Sequence, residues 1–369
     1  MIPKNLNRGD KVAIVSLSRG LLGMPFCEHE LEIAIKRLED YGLVPVIMPN
    51  ALKSMDYLAE HPEERASDLK QAFKDDSIKA IITAIGGDDT HKTIPYLMED
   101  KDFIEAVNNN PKIFTGFSDT TGNHLMLNKL GLSTFYGPCL LNDIAELDNE
   151  MLPYTKEYFD KFFENESSFE IKSSDVWYSD RESYGKEQIG IPRKSNKETH
   201  GFETLKGNGK VTGKLYGGCI ESIYDAFVGN RYNDKPIIFE KYKIFPSEEE
   251  WKEKILFLET AEVKSSPEEL EKMLDEFKKR NIFNLVKGII VGKPIDEVYY
   301  EEYKEVYKKV FKDINTPILY NVNFGHSVPR CIIPYDAVAT IDYDNKKIII
   351  NSKILEYSTK EDIKRRAYK

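Results

Sequence analysis

From Met1 to Tyr136, short apolar runs alternate with amphipathic stretches, and this alternation narrows the possible folds more than any other feature of the chain. Lys11–Ser16, Leu43–Met48, Ala80–Ile85, Lys112–Thr115 and Ser133–Tyr136 read as strands. Glu28–Tyr41, with Leu31, Ile33, Ile35 and Leu38 as apolar positions, and Pro62–Phe73 read as helices between them. Strands that alternate with helices build parallel βαβ units, because each crossover helix covers a face of the sheet.

From about Glu164 to Gly209 the character changes to Ser, Lys, Glu and Gly, with Trp177 and Tyr184 as conspicuous aromatics. This stretch reads as a connecting surface loop, and long loops are often functional. Order resumes with a strand at Lys210–Leu215, a helix at Ile220–Phe227 and a strand at Ile255–Glu259. A helix follows at Pro267–Arg280, with Ser265 or Ser266 as its N-cap and Glu269 early in its first turn. Strands at Leu285–Val291 and Pro317–Val322 bracket a helix at Tyr299–Phe311, and Val338–Ile341 with Lys347–Asn351 form a terminal hairpin. The basic tail after Tyr357 is expected to fray. A chain of 369 residues exceeds what one core usually serves. The expected division is an α/β domain over 1–165, a linker and recognition loop over 166–209, and a second α/β domain over 210–369.

A net charge of -10 argues against a broad nucleic-acid contact. Met1–Asp10 lacks the apolar core of a secretion signal, and no apolar run approaches the ~20 residues that span a bilayer. Cys27, Cys139, Cys219 and Cys331 show no CxxC spacing, so reduced thiols in the cytoplasm, without metal or cofactor, are expected.

The strand Lys112–Thr115 runs into Gly116-Phe117-Ser118-Asp119-Thr120-Thr121, and a helix follows over about Gly122–Lys129. A serine at the apex of a strand–turn–helix unit exposes its hydroxyl beside a helix N-terminus. The same pattern arises when Ser118 or Asp119 merely caps the helix. Ile85-Gly86-Gly87-Asp88-Asp89-Thr90 also lies where a strand meets a helix, and neighbouring strands of a parallel sheet share the crevice at their carboxyl ends. Backbone amides at Gly87 or Asp88 would then face Ser118, whereas a plain turn with an Asp cap is the alternative.

A serine nucleophile needs a base held by a carboxylate. Of six histidines, His29 and His61 read as solvated, His91 and His124 as first-turn helix residues, and His200 as part of the polar loop. His326, in Asn323-Phe324-Gly325-His326-Ser327, follows a strand and stands where catalytic groups gather. Glu259 ends an apolar strand and reads as half buried; Glu262 competes with it, or sits on a solvated face.

Taken together, GFSDTT (Gly116–Thr121), IGGDDT (Ile85–Thr90), GKLYGGCIES (Gly213–Ser222), ILFLETAE (Ile255–Glu262) and NVNFGHSVPR (Asn321–Arg330) resemble the serine LD-carboxypeptidase family, which includes the microcin C immunity proteins. The resemblance implies two α/β domains, the first of flavodoxin or Rossmann type, with the active site between them. It implies a catalytic triad of Ser118, Glu259 and His326, and an oxyanion hole from the amides of Asp119 and of Gly87 or Asp88. It also implies a homodimer without metal. The long aromatic-bearing loop resembles the immunity branch, which cleaves an amide joining an amino acid to a nucleotide-like group. There Trp177 would stack on the base, with Tyr184 nearby, or Trp177 would pack the loop down. Glu221 would point into the cleft, and Lys264 would hold a substrate carboxylate or remain solvated. Cys219, where some members carry Asn, reads as a buried small residue.

The expected function is thus that of a cytoplasmic serine carboxypeptidase acting on small peptides or peptidyl-nucleotides, with muropeptide LD-carboxypeptidase as the alternative. An α/β-hydrolase-type esterase would need one continuous sheet. A non-enzymatic two-lobed ligand-binding protein is the rival from outside enzymology.

Overall fold

The computed structural model describes residues 1–164 and 166–358, so the tail beyond Ser358 lies outside the described residues. The chain divides into two compact units. The first holds Met1–Glu166, Glu182–Pro192 and the segment from Lys353; the second holds Ser167–Arg181 and Arg193–Ser352. The architecture is α/β, with sheets dominated by parallel strands.

In the first unit, five strands lie in the order Phe135–Tyr136, Ile113–Gly116, Ile78–Thr83, Lys11–Val15, Val44–Ile47, all parallel. Val12, Ala13, Ile14 and Val15 are fully buried, as a strand covered on both faces must be. Helices Glu28–Asp40, Pro62–Lys74, Lys101–Asn109 and Thr121–Lys129 are among those that provide the cover. Three adjacent strands end together, so the segments after Val15, Thr83 and Gly116 emerge side by side.

In the second unit the order is Phe169–Ile171, Lys347–Ile350, Val338–Asp342, Lys210–Cys219, Lys254–Glu259, Gly288–Gly292, Ile318–Val322, Glu203–Lys206. The four strands from Lys210–Cys219 to Ile318–Val322 are parallel, and the pairings outside them are antiparallel. Every residue of Lys254–Glu259 is buried. At ~1.5–3 kcal/mol for each large apolar side chain, Ile255, Leu256, Phe257 and Leu258 anchor this strand, and Glu259 at its end is held with them. Ser266 is the N-cap of Pro267–Lys279 and makes a reciprocal capping box with Glu269.

The segment expected as a linking loop differs from that expectation. Phe169–Ile171 and Glu203–Lys206 form the two edges of the second sheet. Val176–Tyr178 pairs with Ser195–Lys197 as a separate ribbon. The strand at Lys210 also runs further than its first apolar residues, to Cys219, pairing through both glycines. The described residues contain no helix long and apolar enough to cross a membrane.

Candidate active site

Ser118 follows a fully buried strand and sits at φ +65, in the left-handed region, as the first residue of a tight turn that leads into Thr121–Lys129. A non-glycine residue there carries about 1–3 kcal/mol of strain, so its surroundings must impose it. The Ser118 amide donates to Tyr136 Oη at 3.0 Å, and Thr121 Oγ1 donates to the Ser118 carbonyl at 2.6 Å. Asp119 is buried, and its Oδ2 accepts from Ser18 Oγ and from the Thr90 amide, each at 2.8 Å. Ser118 alone stays partly exposed between buried neighbours. This is the conformation that a serine nucleophile would need.

The Gly86-Gly87 turn presses directly on this serine. A Cβ on Gly86 would stand 2.7 Å from Ser118 Cβ and 2.9 Å from its Oγ. Of the two residues proposed as alternative amide donors here, Asp88 is engaged elsewhere: its amide donates to Ser18 Oγ at 3.0 Å. Of these two alternatives, Gly87 is then the one left for the expected role. Ser18 was not anticipated, although its place after Val15, at a strand's carboxyl end, was a usable signal.

His124 is structural. Its Nε2 bonds the Gly116 carbonyl at 2.9 Å and its Nδ1 bonds Thr134 Oγ1 at 2.8 Å. Burial lowers its pKa to about 3, so it stays neutral. His29, expected in solvent, is buried, and its ring meets the Tyr184 carbonyl at 2.9 Å. His91 is fully buried as well.

In the second unit, Glu259 Oε2 accepts from both the backbone amide of His326, at 3.1 Å, and its Nδ1, at 2.8 Å. The carboxylate is 1% exposed, so it is more deeply buried than its sequence suggested. One oxygen thus fixes the loop and the ring together, with Nδ1 turned to the carboxylate. Gly325 allows this: it sits at φ +74, and a Cβ there would lie 2.3 Å from Glu259 Cγ and Cδ. Arg330 Nε donates to the Gly325 carbonyl at 2.6 Å and holds the turn from the other side.

Glu262, read as a competitor of Glu259, touches the same ring elsewhere: its Oε2 lies 2.9 Å from His326 Nε2. Burial would lower the imidazole pKa, but the Glu259 charge and hydrogen bond, then those of Glu262, outweigh it and raise the pKa to about 10. The hydrogen bond from His326 in turn lowers Glu262 to about 2, although its side chain is 62% exposed.

Glu221 is held by three neighbours. Its Oε2 accepts from the Ala261 amide at 3.0 Å and from Cys219 Sγ at 3.2 Å, and its Oε1 accepts from Ser265 Oγ at 3.0 Å. It ties down the loop that follows Glu259. Burial, then the charges of Glu221 and Glu259, hold the Cys219 thiol well above its ordinary range, which suits a packed residue rather than a nucleophile. Lys264 is exposed and pairs with Asp296 at 2.8 Å. Trp177 is half-buried, with Lys293 Nζ 5.3 Å from its ring centroid. Lys293 itself is buried between Glu198, at 3.0 Å, and Glu297, at 2.5 Å. Tyr184 belongs to the first unit, whereas Trp177 belongs to the second.

Comparison with known proteins places these features in context. Residues 12–137 match the LD-carboxypeptidase N-terminal domain, and residues 212–341 match the LD-carboxypeptidase C-terminal domain. An MccF-like protein from Streptococcus pneumoniae, solved in complex with AMP, is 45% identical; the match covers 93% of this chain and 99% of that one, with a TM-score of 0.88. The chain belongs to the LD-carboxypeptidase family. Like other members, it is a serine-type carboxypeptidase. The family's range is visible in two further relatives. A probable murein peptide carboxypeptidase of Bacillus subtilis is 27% identical over 97% of both chains. The microcin C7 self-immunity protein MccF of Escherichia coli is 27% identical, with 79% of this chain and 79% of that protein covered.

Proposed function

We propose that this LD-carboxypeptidase family member is a serine amidase that cleaves the amide of peptidyl- or aminoacyl-nucleotide compounds through Ser118, His326 and Glu259. The observation that carries the catalytic reading is the 2.8 Å bond from His326 Nδ1 to buried Glu259, the base–orienter half of a triad. In this mechanism His326 Nε2 takes the Ser118 proton as Oγ attacks the amide carbon. The amides of Gly87 and Asp119 receive the oxyanion. His326 then protonates the leaving amine, and water releases the acyl group. The nucleotide preference is supported by the 45% identity to an AMP-bound relative and by the half-buried indole of Trp177. The reading carries with it a cytoplasmic homodimer, which cell fractionation and light scattering test.

The experiment is product analysis by mass spectrometry on an LD-tetrapeptide, an aminoacyl-sulfamoyl adenosine and a plain L-peptide. Cleavage of the sulfamoyl adenosine is expected. Ser118→Ala should lower its turnover by at least about 10⁴-fold while the fold is kept; an active Ser118→Ala enzyme ends the proposal. Cleavage of the tetrapeptide alone would favour the muropeptide reading, which the end-to-end match to the Bacillus subtilis protein supports.

A further inference from the structure

Ser18, Gly87, Gly86, Ser118 and Asp119 close a ring of contacts inside the first unit. Ser18 Oγ donates to Asp119 Oδ2 at 2.8 Å, and Asp119 is bonded in sequence to Ser118. Ser118 abuts Gly86, where a Cβ would come within 2.9 Å of Oγ. Gly87 abuts Ser18 in turn: a Cβ on Gly87 would meet Ser18 Oγ at 2.3 Å. The two-glycine turn is therefore clasped between two serines, one partly exposed and one buried at 3% exposure. The buried serine also accepts from the amides of Asp88 and Asp89, at 3.0 and 3.3 Å.

The clasp is itself anchored. Arg65, fully buried, donates to the carbonyls of Leu17 and Ser18 at 3.1 and 3.4 Å and pairs with Asp89 at 2.7 Å. Thr90 Oγ1 donates to the Leu17 carbonyl at 3.0 Å. The Ser18 and Thr90 bonds join the segment after the first strand to the turn after Thr83 or to the turn after Gly116, and Arg65, from helix Pro62–Lys74, braces both that segment and Asp89. A single hydroxyl, donating to one turn and accepting from the other, fixes the height of the glycine turn above the nucleophile.

We propose that Ser18 is a positioning residue for the reaction: its hydroxyl holds the Gly86-Gly87 turn and the Ser118 turn in the register that an oxyanion needs. The inference rests on the reading of Ser118 as nucleophile. Ser18 touches neither substrate nor the reacting atoms; it acts through the turn it holds. Oxyanion stabilisation depends on donors placed within a fraction of an ångström, and losing one donor or shifting it by about 1 Å costs about 10²-fold.

The test measures the second-order rate at which a fluorophosphonate labels Ser118, together with kcat and KM on whichever substrate the parent enzyme cleaves. Ser18→Ala is expected to slow labelling and kcat by about 10–100-fold, with KM changed by less than about threefold. Ser18→Cys fills the same space with a weak hydrogen-bonding group, so it separates the hydroxyl from packing; it is expected to slow labelling to a similar degree. Combining Ser18→Ala with Asp119→Ala is expected to cost no more than the worse single variant, because the two groups act as one unit. Labelling and kcat within about twofold of the parent in folded Ser18→Cys would overturn the assignment. An unlabelled parent enzyme, or an active Ser118→Ala, would instead sink the nucleophile reading on which it rests.

Discussion

His326 is gripped on both ring nitrogens, by buried Glu259 on Nδ1 and by Glu262 on Nε2. A base that has to receive a serine proton on Nε2 must first lose the second contact, and must be neutral when it does. With both carboxylates in place the imidazole keeps its proton up to about 10. Glu262 has the freedom to leave, because its side chain is mostly exposed, whereas Glu259 has none. Glu262→Gln removes one negative charge from the ring. The acid limb of kcat/KM is then expected to move to lower pH, by about one unit, raising activity below neutrality. A pH–rate profile with its acid limb unmoved would show that Glu262 takes no part. The stability consequence has the opposite dependence on pH. His326 is raised from 6.5, so its contribution is complete below that value and fades as pH climbs through about 10. Glu262 is lowered from 4.5, so its contribution is present above that value and fades as pH falls through about 2. Urea denaturation of the parent and of Glu262→Gln across this range checks both directions.

At the scale of elements, the candidate site residues sit where strands stop, and the stops are shaped by backbone that other side chains could not adopt. Gly325→Ala is the sharpest case, since it adds a methyl at φ +74 and drives it into Glu259. The expected result is a fall in kcat of at least about 100-fold with KM within about threefold, and a loss of about 1–3 kcal/mol in stability, read by steady-state kinetics and by urea denaturation. A fully active Gly325→Ala would mean that the Glu259–His326 bond does not matter. Such positions explain what could be read from the chain beforehand. The strands and helices were legible because apolar period survives in sequence: Lys11–Val15 and Lys254–Glu259 are buried along nearly their whole length. Glu259 and His326 were legible because each follows such a strand. The edge strand Glu203–Lys206 was not, since an edge strand half open to solvent keeps polar residues and hides its pairing. Lys210–Cys219 was read as stopping before its glycines, although Gly217 and Gly218 stay in register with Phe257 and Leu258. The engagement of Asp88 by Ser18, the burial of His29 against Tyr184 and the second grip on His326 depend on contacts between distant segments, for which no local period exists.

The whole molecule divides its chemistry. Ser118 belongs to one compact unit, and His326, Glu259 and Trp177 belong to the other. Within the second unit, Trp177 is not a loose loop residue. Ser174 donates its amide to Asn323 Oδ1 at 3.0 Å, and Tyr178 donates its amide to the Val328 carbonyl at 2.8 Å. The segment that carries the indole is therefore stitched to both flanks of the loop that carries His326. A base stacked on that ring would be located relative to the imidazole by backbone hydrogen bonds rather than by a flexible tether. Stacking contributes ~1–3 kcal/mol per base, which is about 5- to 150-fold in affinity. Trp177→Ala should therefore raise KM for an aminoacyl-sulfamoyl adenosine within that range and leave kcat within about threefold. Trp177→Phe, which keeps an aromatic face, should recover most of the loss. A peptide substrate without a base separates recognition from scaffolding, because an anchor for the His326 loop serves every substrate alike. If Trp177→Ala slows a base-free LD-tetrapeptide as much as it slows the nucleotide compound, the indole is such an anchor and the nucleotide preference must come from elsewhere in the chain.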